Sequence, residues 1–202
     1  MSINIELTIN ECNIIICQNI LKMLERRKLI TDNTVKFNEI KDDINNTASI
    51  DFLLSNKNKC SIYIINAKLS SIVQGTPLDD YLSNNLDIHK IIVIKDPAKK
   101  VIKQIIQDYK NAEIFFEHEM LEDIPNNALI PEHQLLTIDE KKELLSKFQE
   151  NELSIISSMD MMARYYNANI GDIFRIIRPS ITSGKSIFYR KVILGNLDIL
   201  FN

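Results

Sequence analysis

The sequence predicts two domains. Residues 1–128 read as an α/β domain, a small layered sheet with helices, and residues 129–202 as a small α+β domain with a terminal β-hairpin. Three observations lead there. Short Ile-rich runs alternate with capped amphipathic stretches through the first half, in the order strand, helix, strand, helix, strand. Pro125, Asn126, Asn127 and Pro131 then interrupt that rhythm. Beyond the break, two strand-like runs, 172–178 and 186–193, flank the loop 179–185.

Each element has a local cause. Thr8 and Glu11 form a capping box, with Leu7 and Cys12 at the positions of a hydrophobic staple. Ile16, Ile20, Met23 and Leu24 then mark one face, so a helix is expected over 9–28. Residues 31–58 are polar and Asn-rich and read as mostly loop, with a weak pattern around 51–54. Cys60 to Asn66 is a strand candidate. Thr76-Pro77, with Asp79 in the first turn, starts a helix over about 77–85. His89 to Ile94 reads as a second buried strand, Asp96-Pro97 as the cap and first residue of another helix, and Glu113 to Glu117 as a third strand. Past the break, Thr137 and Glu140 form a capping box before Ile138, Leu144, Leu145 and Phe148, and Asp160 can cap a short helix through Tyr166.

Composition excludes several function classes. There are 24 Lys+Arg against 27 Asp+Glu, a net charge of −3, which argues against a chain that grips nucleic acid alone by bulk charge. No apolar run approaches the roughly 20 residues of a membrane span, and the acidic N-terminus lacks the basic start of a secretory signal. Cys12, Cys17 and Cys60 are odd in number and read as reduced thiols in an intracellular compartment; with His89, His118 and His133 scattered, no metal site and no cofactor is expected. Ile and Asn together exceed a quarter of the chain, a skew that reads as coding bias.

Catalytic patterns fare poorly. Gly184-Lys185-Ser186 echoes the end of a phosphate-binding loop, but Pro179 stands where that loop needs its first Gly and a strand follows where it needs a helix. The pairs Asp42-Asp43 and Asp79-Asp80 read as solvated surface, and the acidic segment 113–123 as a polar edge. No Ser sits on a Gly-x-Ser-x-Gly elbow. No catalytic residue is assigned. A stand-alone metal-dependent enzyme of nuclease-like α/β fold is the different-class alternative, although Asn66-Ala67-Lys68 after the first strand lacks the acid it would need. Between Ile173 and Leu197 there is no acid, while Arg175, Arg178, Lys185, Arg190 and Lys191 all fall there. Such a hairpin suits a local anionic contact or an interface-paired, solvated strand face.

The C-terminal residues carry a more specific signal. Ile130-Pro131-Glu132-His133 precedes the charged helix Asp139-Glu140-Lys141-Lys142-Glu143-Leu144-Leu145. Asp160 with Ala163-Arg164-Tyr165-Tyr166 follows, then Gly171-Asp172-Ile173-Phe174-Arg175-Ile176-Ile177-Arg178-Pro179-Ser180, then Thr182-Ser183-Gly184-Lys185 with Tyr189-Arg190. In order and spacing, 130–193 resembles the fifth common subunit of eukaryotic nuclear RNA polymerases and its archaeal counterpart. Residues 1–129 resemble it only in length and α/β rhythm. The chain departs from the family pattern at Met161 (usually Pro), Asn167 (usually Gly), Ile181 (usually Glu) and Lys185 (usually Arg), and adds an apolar tail, 194–202, suited to packing on a neighbour. Asn167 keeps the left-handed helix end that Gly would provide, and Lys185 replaces a bidentate contact with a point contact.

The resemblance implies a non-catalytic subunit of a multisubunit DNA-directed RNA polymerase. Its C-terminal assembly domain would dock on the largest subunit among the other polymerase subunits. Its N-terminal domain would form a jaw near downstream DNA, touching DNA only weakly and within the complex, with no membrane partner. The residues expected at the subunit interface are Pro131, His133, Asp160, Arg164, Tyr165, Gly171, Arg175, Arg178, Pro179, Ser180, Thr182, Gly184, Lys185, Tyr189 and Arg190. The chain would then reside with the polymerase, in the nucleus of a cell or in the cytoplasm or virion of a large DNA virus. A scaffold outside transcription is the remaining alternative.

Overall fold

The computed structural model describes residues 7–84, 87–180, 184–197 and 200. It is a mixed α/β structure whose described residues form two four-stranded sheets and seven α-helices. The chain divides into two compact units, Met1–Asp123 and Ile124–Asn202.

In the first unit, α1 (Ile9–Arg26) starts on the expected capping box: the Thr8 side chain accepts from Glu11 N–H while Glu11 accepts from Thr8 N–H. Its buried face carries Ile16, Cys17, Ile20, Leu21, Met23 and Leu24. The sheet runs β1 (Ile50–Leu53), β2 (Lys59–Leu69), β3 (His89–Pro97), β4 (Ala112–Phe116) in that spatial order. β2, β3 and β4 are parallel, connected through α3 (Pro77–Ser83) and α4 (Lys99–Asp108), and β1 is antiparallel to β2. Burial of Ile91, Ile92, Val93 and Ile94 without alternation is what a central parallel strand requires.

Residues 31–58 are mostly turn and loop, as expected, but they also hold a short helix, α2 (Asn33–Ile40), capped by Asp32, and β1 around the weak pattern at 51–54. The apolar signal is sparse because single residues spaced far apart, Ile40, Ile44, Ile50 and Phe52, do the burying. Asp96-Pro97, by contrast, does not start the expected helix. β3 continues through Pro97, paired as Lys68↔Asp96 and Leu69↔Pro97, and α4 begins after Ala98 without a side-chain cap. Sheet pairing overrides the local capping signal.

The acidic segment 113–123, expected as a polar edge, begins in β4, the edge strand of this sheet, and two of its acids are held by basic side chains. Arg27 at the end of α1 grips Glu113 with both guanidinium nitrogens at 2.7 Å, and His89 Nε2 lies 2.8 Å from Glu113 Oε1. Asp123 is likewise held by Arg26 and Lys22. Between them lies the short helix α5 (Glu117–Met120).

The second unit has the sheet order β5-β7-β8-β6, with β5 (Glu132–Leu135), β6 (Ser154–Ser157), β7 (Ile173–Ser180) and β8 (Gly184–Ile193). β7 and β8 form a hairpin longer than the sequence suggests, since Pro179 pairs with Lys185 and Ser180 with Gly184. The edge strands β5 and β6 are not expected from the sequence, being short and weakly patterned. α6 (Ile138–Lys147) begins on the Thr137–Glu140 capping box, but of its apolar residues Leu144 is buried while Ile138 is exposed, as is the following Phe148.

Candidate docking surface on the C-terminal hairpin

The second unit is organised by α7 (Met161–Tyr165) on one face of its sheet. Asp160 caps this helix, its carboxylate accepting from Met162 N–H at 2.8 Å. The helix closes as a Schellman motif: Ala168 N–H donates to Ala163 O and Asn167 N–H to Arg164 O, with Asn167 at φ 48°. Asn therefore fills the left-handed position as expected, and Met161 in place of Pro leaves the start intact. Ala163 packs into a cluster with Phe174, Ile176, Val192 and Ile156, flanked by Leu135 and Tyr166.

Strand alternation sorts the hairpin's side chains. Phe174, Ile176 and Arg178 share a face with their cross-strand partners Arg190, Phe188 and Ser186, and His133 on β5 lies opposite Ile176. The inner part of this face is the core under α7. The outer part carries Arg178, Phe188, Arg190 and His133. The Arg178 guanidinium stands 5.6 Å from the Phe188 ring centroid, and Phe188 is 49% exposed. The His133 ring sits edge-on to Phe174 at 5.9 Å, and its Nδ1 is 2.7 Å from Pro131 O, an arrangement in which Nδ1–H donates. Burial, opposed by the Pro131 carbonyl and Asp160 and reinforced by Arg190 and Arg178, holds its pKa below the usual imidazole value.

The opposite face neutralises its own charge. Arg175 lies 3.2 Å from Glu140 Oε1, the same carboxylate group that caps α6, and Lys191 lies 3.0 Å from Glu150. Lys141 Nζ donates to Gly171 O at 2.6 Å, and Gly171 adopts φ 91°, which favours Gly at the turn into β7. Four of the five basic residues of the acid-free hairpin thus divide. Arg175 and Lys191 are spent on α6 and the turn after it, whereas neither Arg178 nor Arg190 has a carboxylate partner among the described residues.

Beside this face, at the end of the hairpin where Pro179 pairs with Lys185, a groove of about 600 Å³ is lined by Leu129, Ile130, Pro131, Ile177, Arg178 and Pro179 among others. The expected interface residues therefore separate by role. Arg178, Arg190, His133, Pro131, Pro179, Gly184 and Lys185 lie at the exposed face or line the groove. Asp160 is a helix cap, Arg164 Nε donates to Met159 O, and Tyr165 is 3% exposed, so these three serve the fold of the unit itself. Gly171 serves the turn, Tyr189 lies opposite Arg175, and Ser180 pairs with Gly184. Thr182 lies outside the described residues. Sequence reasoning misses Phe188 and Ile187, which are 49% and 54% exposed on neighbouring positions of one strand. Their register against β7 is the signal needed to find them.

Comparison with known proteins places these residues in a recognised domain. The model of the family described as RNA polymerase Rpb5, C-terminal domain, matches residues 122–192. Over 190 residues the chain is 31% identical to DNA-directed RNA polymerase subunit 5 of Acanthamoeba polyphaga mimivirus, covering 89% of this chain and 91% of that protein. It is 41% identical over 96 residues to DNA-directed RNA polymerases I, II, and III subunit rpabc1 of Dictyostelium discoideum, covering 46% of this chain and 49% of that protein. With the subunit RPABC1 of Caenorhabditis elegans it shares 37% identity over 108 residues, 51% of each chain.

Proposed function

The chain belongs to the family of the fifth common subunit of eukaryotic-type DNA-directed RNA polymerases, and from that premise we propose that it docks on the largest polymerase subunit through its C-terminal unit and carries its N-terminal unit as a jaw near downstream DNA. It is a non-catalytic subunit of a multisubunit RNA polymerase and resides with that complex. The observation that carries the docking reading is the outer hairpin face. Arg178 and Arg190 stand there without carboxylate partners among the described residues, beside a half-exposed Phe188. An exposed aromatic flanked by arginines is the composition of an interface centre rather than of an idle surface.

The overall charge of −3 supports the same division of labour. A chain held in place by protein contacts needs no basic surplus, and any DNA contact it makes alone should be weak and fall steeply with salt. The test is co-expression with the cognate polymerase subunits. The variant Arg178→Ala/Arg190→Ala should be lost from the purified polymerase while the lone chain keeps its circular dichroism spectrum. Stoichiometric retention of the double variant would overturn the docking role of this face.

A further inference from the structure

Among the described residues, part of the hairpin's outer edge has no strand beside it. In β8, Val192 N–H donates to Asp172 O and Val192 O accepts from Gly171 N–H, so the even-numbered residues face β7. Ile193 O accepts from Ser158 N–H on the opposite side, so the odd-numbered residues face outward. β6 covers that outward side only from Arg190 to Ile193. Among the described residues no strand pairs with the stretch from Gly184 to Tyr189 on that side. The N–H and C=O of Ile187 and the N–H of Tyr189 therefore point out from an edge about 20 Å long at roughly 3.3 Å per residue, while the Tyr189 carbonyl lies where the β6 ladder begins.

Next to β6 this edge is apolar on both faces, with Ile187 54% exposed on one and Phe188 49% exposed on the other. An open apolar strand edge is a template for another strand. We infer that the outward edge of β8 from Gly184 to Tyr189 is completed in the assembled polymerase by an extended acidic segment of the partner subunit, added as a further strand. The inference rests on the docking proposed above and specifies its form.

Charge selects the occupant. The sequence from Ile173 to Leu197 contains no acid, while Arg178 and Arg190 lie beside the edge. A second copy of the hairpin would bring like charges together across the new ladder, which disfavours self-pairing. An extended chain bearing Asp or Glu gains both the ladder and the ion pairs. The backbone supplies affinity in this mode, and the alternating side chains, Ile187 on one face and Phe188 with Arg190 on the other, supply specificity.

Amide exchange on the lone chain and on the reconstituted polymerase tests this directly. In the lone chain the Ile187 and Tyr189 amides should exchange rapidly while those of Phe188 and Arg190 are protected. In the polymerase the two outward amides should slow by about two orders of magnitude, to the level of their neighbours. In parallel, Ile187→Pro removes an outward N–H that β7 does not use. It should leave the lone chain folded but be lost from the complex, whereas Ile187→Val should be retained. Outward amides that stay fast in a chain that co-purifies with the polymerase would overturn the added strand and leave docking intact. Failure of the unaltered chain to co-purify would overturn both. Protection that rises with the concentration of the lone chain, or on adding duplex DNA alone, would overturn the choice of an acidic polypeptide.

Discussion

Replacing Glu113 by Gln probes the polar centre of the first unit. Glu113 lies at the start of β4 and receives two guanidinium bonds of 2.7 Å from Arg27, with His89 Nε2 2.8 Å away. The Arg27 and Glu113 side chains are only 4% and 16% exposed. Burial alone would raise the Glu113 pKa, but His89 and Arg27 outweigh it and bring it to about 2, from an ordinary value of 4.5. At about 1.36 kcal/mol per pKa unit, that difference corresponds to roughly 3 kcal/mol of stability at neutral pH. Stranding a buried Arg by removing its partner's charge has a similar cost, about 3–5 kcal/mol. The sign follows from the depressed value. The contribution is complete above the unfolded carboxyl pKa and is lost as pH falls from about 4.5 toward 2. Urea unfolding at pH 7, with amide exchange in β3 and β4 assigning the transition to this unit, should show Glu113→Gln less stable by about 3 kcal/mol. The gap should shrink on acidification, and the double variant Arg27→Met/Glu113→Gln should be less destabilised than the sum of its parts. Equal stability of Glu113→Gln and the parent at pH 7, or a gap that does not change with pH, would refute the reasoning.

Three further outcomes follow from the geometry. Lys90 is 1% exposed and donates to Leu82 O at 2.8 Å and Asn84 O at 2.5 Å, closing the end of α3, so Lys90→Met should cost about 1–3 kcal/mol in urea titrations. Burial lowers the Lys90 pKa, so the folded chain binds fewer protons than the unfolded one as pH rises toward 10.5, and the parent should gain stability over the Met variant in that alkaline window. At Asn167, φ 48°, Gly should be neutral or stabilising by up to about 1 kcal/mol, whereas Val should cost about 1–2 kcal/mol in the melting of the second unit. Of the buried apolar residues among those described, nine lie in the second unit and twenty-seven in the first, so the amides of β7 and β8 should open at lower urea than those of β2 to β4 in the lone chain, an order that binding of the polymerase should narrow.

What can be read from the sequence is what local chemistry decides. The starts of α1, α3 and α6 are legible because Thr8, Thr76 and Thr137 cap helices through residues three positions away. The left-handed end at Asn167 is legible for the same reason. The elements that escape are those whose cause lies far along the chain. β5 and β6 exist because β7 and β8 offer them edges, and Asp96-Pro97 stays in β3 because Lys68 and Leu69 pair with it. The candidate site shows the same limit. The absence of acid in the hairpin is visible, but not the division of its cations, because Glu140 and Glu150 reach Arg175 and Lys191 from elsewhere in the sequence. Asp160, Arg164 and Tyr165 are expected at an interface because they accompany it in the family pattern, and within the unit they also cap, brace and fill α7.

The two units treat buried and charged groups in opposite ways, and that contrast bears on which of them docks. In the first unit several charged groups drawn toward the interior are paired: Arg27 with Glu113, Asp123 with Arg26 and Lys22, Lys90 with the carbonyls that end α3. In the second unit one sheet face is settled in the same manner by Glu140 and Glu150, but the outer part of the other is not. It keeps two arginines without carboxylate partners among the described residues, a half-exposed Phe188 and, at its margin, a strand edge with outward-facing amides. Leaving such groups open lowers the stability of a small unit, and binding only the folded form restores it by mass action, about 2.7 kcal/mol when the partner is at a hundred times its dissociation constant. A surface of this kind is therefore costly to a free-standing chain and useful to one that is completed by its neighbour.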